Sequence, residues 1–253
     1  MTSSVPPVRA RHRTALAVLL CAGLATVATA CGEDPDEGTN GVGKLTAAQI
    51  EKKTQGAANA ADTVRLAGTL VSKGGTYKLN MRLKAEGGTG SVVSKDSRFE
   101  LLRIGDELYL KADSGFWNHD EKSGADSQAG GAAADKLRNK YVKVPEGDPV
   151  YQQLRGFTDK KTLLDGLLGL HGTVNKGDRD TVDGTRTVQI MGGAGEGGTL
   201  DVSLEGTAYP LRFARGGEAG TVTFADWGKD FPLEAPSEVD TVDYGKQLPR
   251  TGS

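Results

Sequence analysis

The chain has 253 residues, 25% of them charged and 37% hydrophobic, with 36 glycines and a formal net charge of −2. Its 31 Lys and Arg nearly balance 33 Asp and Glu, and no basic face for nucleic acid stands out. Cys21 and Cys31 are the only cysteines and the three histidines are scattered, so neither a disulfide framework nor a metal site is expected.

The first thirty residues do not read as part of a fold. Arg9, Arg11 and Arg13 give a positive start, and residues 15–30 are almost wholly apolar, ending Val27-Ala28-Thr29-Ala30-Cys31. That pattern reads as a secretory signal. Gly32-Glu33-Asp34-Pro35-Asp36-Glu37 follows at once and cannot continue a membrane span. Small residues at 28 and 30 before Cys31 resemble a bacterial lipobox. The resemblance implies a diacylglyceryl group on the Cys31 sulfur and cleavage that leaves Cys31 as the first mature residue. The competing reading is an ordinary secretory signal with an incidental cysteine. Two acyl chains hold a protein stably on a bilayer where one does not. The expected divisions are a signal over 1–30, a lipidated flexible tether over 31–43, a folded domain over 44–240 and a flexible tail over 241–253. Removal of 1–30 leaves 28 basic against 33 acidic side chains, a net charge of −5.

The domain opens with a capped helix. Thr46 and Gln49 have the spacing of a capping box, and the helix should run to about residue 61. Strands follow. Val64, Leu66 and Leu70 share one face of the first. Tyr77-Lys78-Leu79-Asn80-Met81-Arg82-Leu83-Lys84 alternates strictly, which predicts a strand with one dry and one wet face. Further strands are predicted near 89–94, 97–104 (with Phe99 and Leu101) and 106–112. Residues 113–140 turn polar and small, and 141–145 look extended. Asp148-Pro149 starts a helix with Asp as cap and Pro in its first turn, expected to break at Gly156. A second helix over about 159–170 carries Leu163, Leu164, Leu167 and Leu168. A second strand series is predicted over 172–177, 180–191 (with Val188 and Ile190), 198–205, 208–215 and 219–226. In it Leu200, Val202 and Leu204 alternate with polar residues, and Asp183-Gly184 reads as a hairpin turn. Consecutive antiparallel strands with few crossovers imply one large curved sheet of the α+β class, its apolar face meeting the helices.

The layout and several phrases resemble a known family. A lipobox and a capped helix lead into Val64-Arg65-Leu66-Ala67-Gly68-Thr69-Leu70. Leucine-rich helices sit between two strand series, and the chain closes through Tyr209-Pro210-Leu211-Arg212-Phe213 and Thr221-Val222-Thr223-Phe224-Ala225-Asp226-Trp227-Gly228. This is similar to the actinobacterial LppX/LprG-type lipoproteins, part of a wider group with the LolA and LolB carriers. The resemblance implies a strongly curved antiparallel half-barrel with helices covering its concave face. It also implies an apolar cavity that holds a lipid or other acylated ligand. Leu66, Leu70, Leu79, Met81, Leu83, Phe99, Leu101, Leu163, Leu164, Leu167, Leu168, Val188, Ile190, Leu200, Val202 and Leu204 are the candidate lining.

The plain alternative is that these residues form an ordinary core and that the chain is an interaction or sensory module of the cell envelope. Gly166 and Gly169 in the four-leucine segment favour a lid over a fixed helix. No nucleophile elbow, paired-acid signature or phosphate loop occurs, so no catalytic residue, metal or cofactor is expected. The expected partners are the membrane, reached through Cys31, the acylated ligand and, on the alternative reading, an envelope protein. The protein is expected to be a monomer.

Overall fold

The alternation over residues 77–84 is realised as a strand whose Leu79, Met81 and Leu83 are at most 2% exposed, while Lys78, Asn80 and Arg82 face outward. The same rule builds the rest of a sheet. The structure is a computed structural model describing residues 35–72, 75–95, 97–113, 116, 136–137, 139–243 and 245. Cys31 and the expected signal over 1–30, the Gly- and Ala-rich stretch 123–134 and residues 246–253 lie outside the described residues. From Asp36 onward the chain forms one compact unit.

The first strand series is β1 (Thr63–Ser72), β2 (Gly75–Lys84), β3 (Gly87–Val93), β4 (Arg98–Ile104), β5 (Glu107–Ala112) and β6 (Tyr141–Val144). The second is β7 (Val174–Val182), β8 (Thr185–Gly192), β9 (Thr199–Ser203), β10 (Pro210–Ala214) and β11 (Gly220–Ala225), and β12 (Thr241–Asp243) closes the chain. Their order in the sheet is β12-β6-β5-β4-β3-β2-β1-β11-β10-β9-β8-β7. The two series therefore join through β1 and β11, with Leu66 opposite Phe224 and Gly68 opposite Val222. The sheet is curled and unclosed, and the fold is α+β.

Three α-helices are described: α1 (Ala47–Ala60), α2 (Pro149–Thr158) and α3 (Lys160–Leu168). Each starts where its sequence says. Thr46 and Gln49 form the full capping box, Asp148 accepts from the amide of Val150, and Asp159 accepts from that of Thr162. Helix α1 packs on β7 and β8, α2 on β2, β3 and β4, and α3 chiefly on α1 and α2. Among the described residues, no helix is long and apolar enough to cross a membrane.

Several expectations need correction. Helix α2 continues through Gly156 to Thr158, because a single glycine costs a helix only about 1 kcal/mol and Thr158 is fully buried beyond it. The expected gap at 178–179 is absent, and β7 runs through it with a register shift between Lys176 and Arg179, a distortion that an edge strand tolerates. The sheet is not wholly antiparallel, since β12 pairs in parallel with β6. Residues 241–243, assigned to the tail, are thus a strand. Residues 36–43, assigned to the tether, are bound to the second strand series. Asn40 donates from its amide to the Leu204 carbonyl at 2.8 Å and from its side chain to the Ser203 carbonyl at 3.0 Å, and Val42 is fully buried.

The seam between the two series is tight. A Cβ at Gly68 would lie 2.1 Å from the Thr221 carbonyl oxygen and 2.6 Å from the Val222 Cα. Gly68→Ala is expected to part β1 from β11 and lower stability in urea by about 2 kcal/mol. Gly56→Ala, where a Cβ meets nothing within 4 Å in α1, is expected to raise it by about 0.5–1 kcal/mol. Equal effects of the two substitutions would refute the seam argument.

Candidate functional site

The register carries one apolar surface across the sheet. Leu83 lies opposite Val64, Met81 opposite Leu66, Leu101 opposite Leu110, Ile190 opposite Leu200 and Val188 opposite Val202. The candidate lining residues from the strands, Leu204 just beyond β9, and Leu164, Leu167 and Leu168 of α3 all meet in one cluster. Leu70 and Leu163 are half-buried at its margin. Phe213, Val222, Phe224, Leu108, Leu110, Val142, Val144 and Leu137 belong to the same cluster, and their alternation in sequence was signal enough to find most of them.

The side chains fill this face. Leu66, Met81, Leu83, Leu164, Ile190, Leu200 and Val202 are 0% exposed, so none of them touches a water-sized void. Clefts of about 410 and 350 Å³ open instead on the opposite face of the sheet, over β1 to β4. The larger is polar and lined by Arg65, Asn80, Arg82, Thr89, Gly90, Ser91, Arg98, Glu100 and Tyr141.

One charged residue sits among the apolar ones. The alternation Phe99, Leu101, Arg103 puts Arg103 on the dry face of β4, 3% exposed. It is fully engaged. Its Nε donates to the Thr158 hydroxyl at 3.1 Å, Nη2 to the Thr158 carbonyl at 3.0 Å and Nη1 to the Gly105 carbonyl at 2.7 Å. The Asp159 carboxylate lies 3.8 Å away. Arg103 therefore fastens the junction of α2 and α3 to the end of β4. Helix α3 is held to α1 by polar bonds as well. Lys160 donates to the carbonyls of Asn59 and Ala61 at 3.0 and 2.5 Å, and Gln55 donates to that of Leu168 at 3.3 Å.

A second charged network braces the other face of the second strand series. Asp201, 1% exposed, accepts from Arg212 at 2.8 Å and from Gln189 at 3.0 Å, and Arg212 also reaches Asp180 at 2.6 Å. Hydrogen bonds from Asp201 and then Asp180 raise the Arg212 pKa. Both acids are thus committed to one guanidinium across β7, β9 and β10. Among the described residues no group of three or more His, Cys, Asp or Glu is placed to hold a metal ion.

The Arg103 latch has a pH signature. Burial opposes ionisation of Asp159, but hydrogen bonds from Thr162 and the charge of Arg103 outweigh it and hold its pKa below the ordinary value of 3.8. A depressed carboxylate pKa contributes stability above the unfolded value, lost as pH falls through the folded one. Amide protection over residues 155–168 is therefore expected to drop below pH 3.8, ahead of the β1–β3 strands. At neutral pH, Arg103→Met should speed exchange there by about 30-fold, the loss of charge-assisted hydrogen bonds worth about 2 kcal/mol. Exchange that is unchanged in this segment would refute the latch.

No family model matches the chain, and no curated protein does. Among solved structures it is similar to LprF from Mycobacterium bovis, with 16% identity, a TM-score of 0.47, and coverage of 76% of this chain and 97% of that one. It is also similar to the lipoprotein LppX from Mycobacterium tuberculosis, at 13% identity and a TM-score of 0.44, covering 74% of this chain and 97% of that one. An uncharacterised conserved protein from Thermus thermophilus follows at 10% identity and a TM-score of 0.35, covering 78% and 98%. Each of these likenesses is at low sequence identity.

Proposed function

We propose that the chain is a lipoprotein of the cell envelope, anchored through diacylglyceryl-Cys31 on the extracytoplasmic face of the membrane, that takes an acyl chain between its sheet and its helices. One observation carries this reading. A single apolar face runs from β6 to β8, and α3, which packs chiefly on α1 and α2, sends Leu164, Leu167 and Leu168 into the same cluster. Lifting α3 breaks helix–helix contacts and a few polar bonds and leaves the sheet intact. An acyl chain then replaces Leu164, Leu167 and Leu168 over the sheet, gaining about 25 cal/mol per Å² of apolar surface kept from water. Such a role needs dry walls and a movable cover and no catalytic group.

A second reading is favoured by the filled interior: a non-enzymatic module that binds an envelope protein, its core permanently closed. One substitution separates the two. On the first reading, Leu204→Trp abolishes the acyl lipids that co-purify with the protein and are detected by mass spectrometry. On the second, no lipid co-purifies with either form. Overpacking then only lowers stability by about 1–3 kcal/mol. Absence of lipid from the unsubstituted protein sinks the first reading.

A further inference from the structure

The end of the sheet that carries the turns at 85–86, 105–106 and 183–184 also carries the loops 205–209 and 226–230, because the antiparallel register brings them all to one side. We infer that this turn end is the surface that faces the bilayer to which Cys31 is anchored, with Tyr209 and Trp227 as its contact. The inference rests on the proposed lipidation of Cys31.

The chain is fixed to this end almost as soon as it leaves the anchor. Arg179 pairs with the Asp36 carboxylate at 2.6 Å. Arg186 donates to the carbonyls of Glu37 at 3.3 Å and Gly38 at 3.1 Å, and Asn40 donates to that of Gly206 at 3.1 Å. Five residue steps separate Cys31 from Asp36, and fully extended they reach at most about 18 Å. A domain of this size is roughly 45 Å across. The leash is shorter than the molecule, so the far end of the sheet, with the 94–97 turn, cannot approach the membrane without the protein rolling about its anchor.

A leash alone confines one point and leaves rotation free. Tyr209 and Trp227 supply the second point. Their rings stack at 4.7 Å with an interplanar angle of 5°, and both are half-buried. The indole N–H already donates to the Pro210 carbonyl at 3.2 Å, and the ring also stacks on Phe224 at 6.1 Å, which fixes the half-buried indole in place. Tyr and Trp with an apolar body and a satisfied or wet polar tip collect at the headgroup level of bilayers. The neighbouring charges are matched within the rim: Lys229 with Asp226 at 2.8 Å, Lys84 with Asp230 at 3.2 Å, Arg186 with Glu205 at 3.1 Å. The Arg103 latch lies at this end too, through its bond to the Gly105 carbonyl. A cover that opens by releasing that latch opens towards the bilayer.

The test uses the full-length lipidated chain in vesicles of phosphatidylglycerol and phosphatidylethanolamine containing lipids brominated near the headgroup. With Trp117→Phe, Trp227 is the sole tryptophan. Its emission is expected to fall at least about twofold relative to unbrominated vesicles, as interfacial placement requires. In a second chain, Trp117→Phe and Trp227→Phe are combined with Lys95→Trp, which moves the reporter to the far turn. That emission should be unchanged. Equal quenching of both reporters, quenching of the far one alone, or none at either site overturns the orientation. So does the absence of an acyl mass on the Cys31 peptide. Co-purified lipid is a separate readout, so this inference can fail while lipid binding stands, and the reverse.

Discussion

The pairing of β1 with β11 decides what kind of molecule this is. Without it the chain would hold two separate sheets, each with an apolar face needing its own cover. With it there is, among the described residues, one sheet of twelve strands and one continuous apolar face. Two glycines allow the approach. Gly68 leaves room for the Thr221 carbonyl, and a Cβ at Gly220 would lie 2.0 Å from that of Thr69. The contacts join residues some 150 apart in sequence, so the seam carries a large loop-closure entropy that the flanking hairpins have to offset. Once it forms, the helices that lie between the two series in sequence are confined to the face that needs covering.

That cover is held by polar bonds as much as by packing. Arg103 sits on the apolar face at the end of β4 and reaches two carbonyls, a hydroxyl and a carboxylate around the α2–α3 junction. A buried guanidinium costs desolvation, which lowers its pKa, and is tolerated only because every partner is in place. The penalty is specific to one arrangement of the cover, since moving the junction strands the charge. Packing contacts alone would slide more easily. On the proposed reading, the latch gives the cover two distinct states and few between them.

Strand positions, helix starts and the dry face were legible because each depends on neighbours in sequence. Period-two alternation found Leu79, Met81 and Leu83, and the Asp148-Pro149 pair found the start of α2. Sheet order was not legible, because nothing in β1 names β11 as its partner. The docking of residues 36–43 was hidden for the same reason: their bonds go to β7–β9, more than a hundred residues away. Arg103 was legible in principle, from its place in the alternation after Leu101, but a charged residue at a dry position reads as a break in the pattern until its partners are known. The candidate lining residues of the strands pack on one face, with Leu70 at its margin. Whether that face is empty or filled is a matter of side-chain volume against backbone curvature, and the filling seen here depends on the detailed curl of the sheet.

A filled interior and a lipid carrier are energetically compatible. Lifting α3 exposes Leu164, Leu167 and Leu168, at roughly 1.5–3 kcal/mol each, or about 5–9 kcal/mol in all. An acyl chain leaving water gains about 0.8 kcal/mol per methylene, so a chain of about sixteen carbons gains about 13 kcal/mol and offsets that cost. A chain leaving a bilayer gains almost nothing, because the lipid interior is as apolar as the protein's. On the proposed reading, exchange between bilayer and protein is then governed by the small terms: the latch bonds, the curl of the sheet and the water that enters while the cover is open. The last of these is controlled by distance. A cover that opens against the headgroups passes the chain from one dry phase to another, and a leash of five residues is a direct way to keep it there.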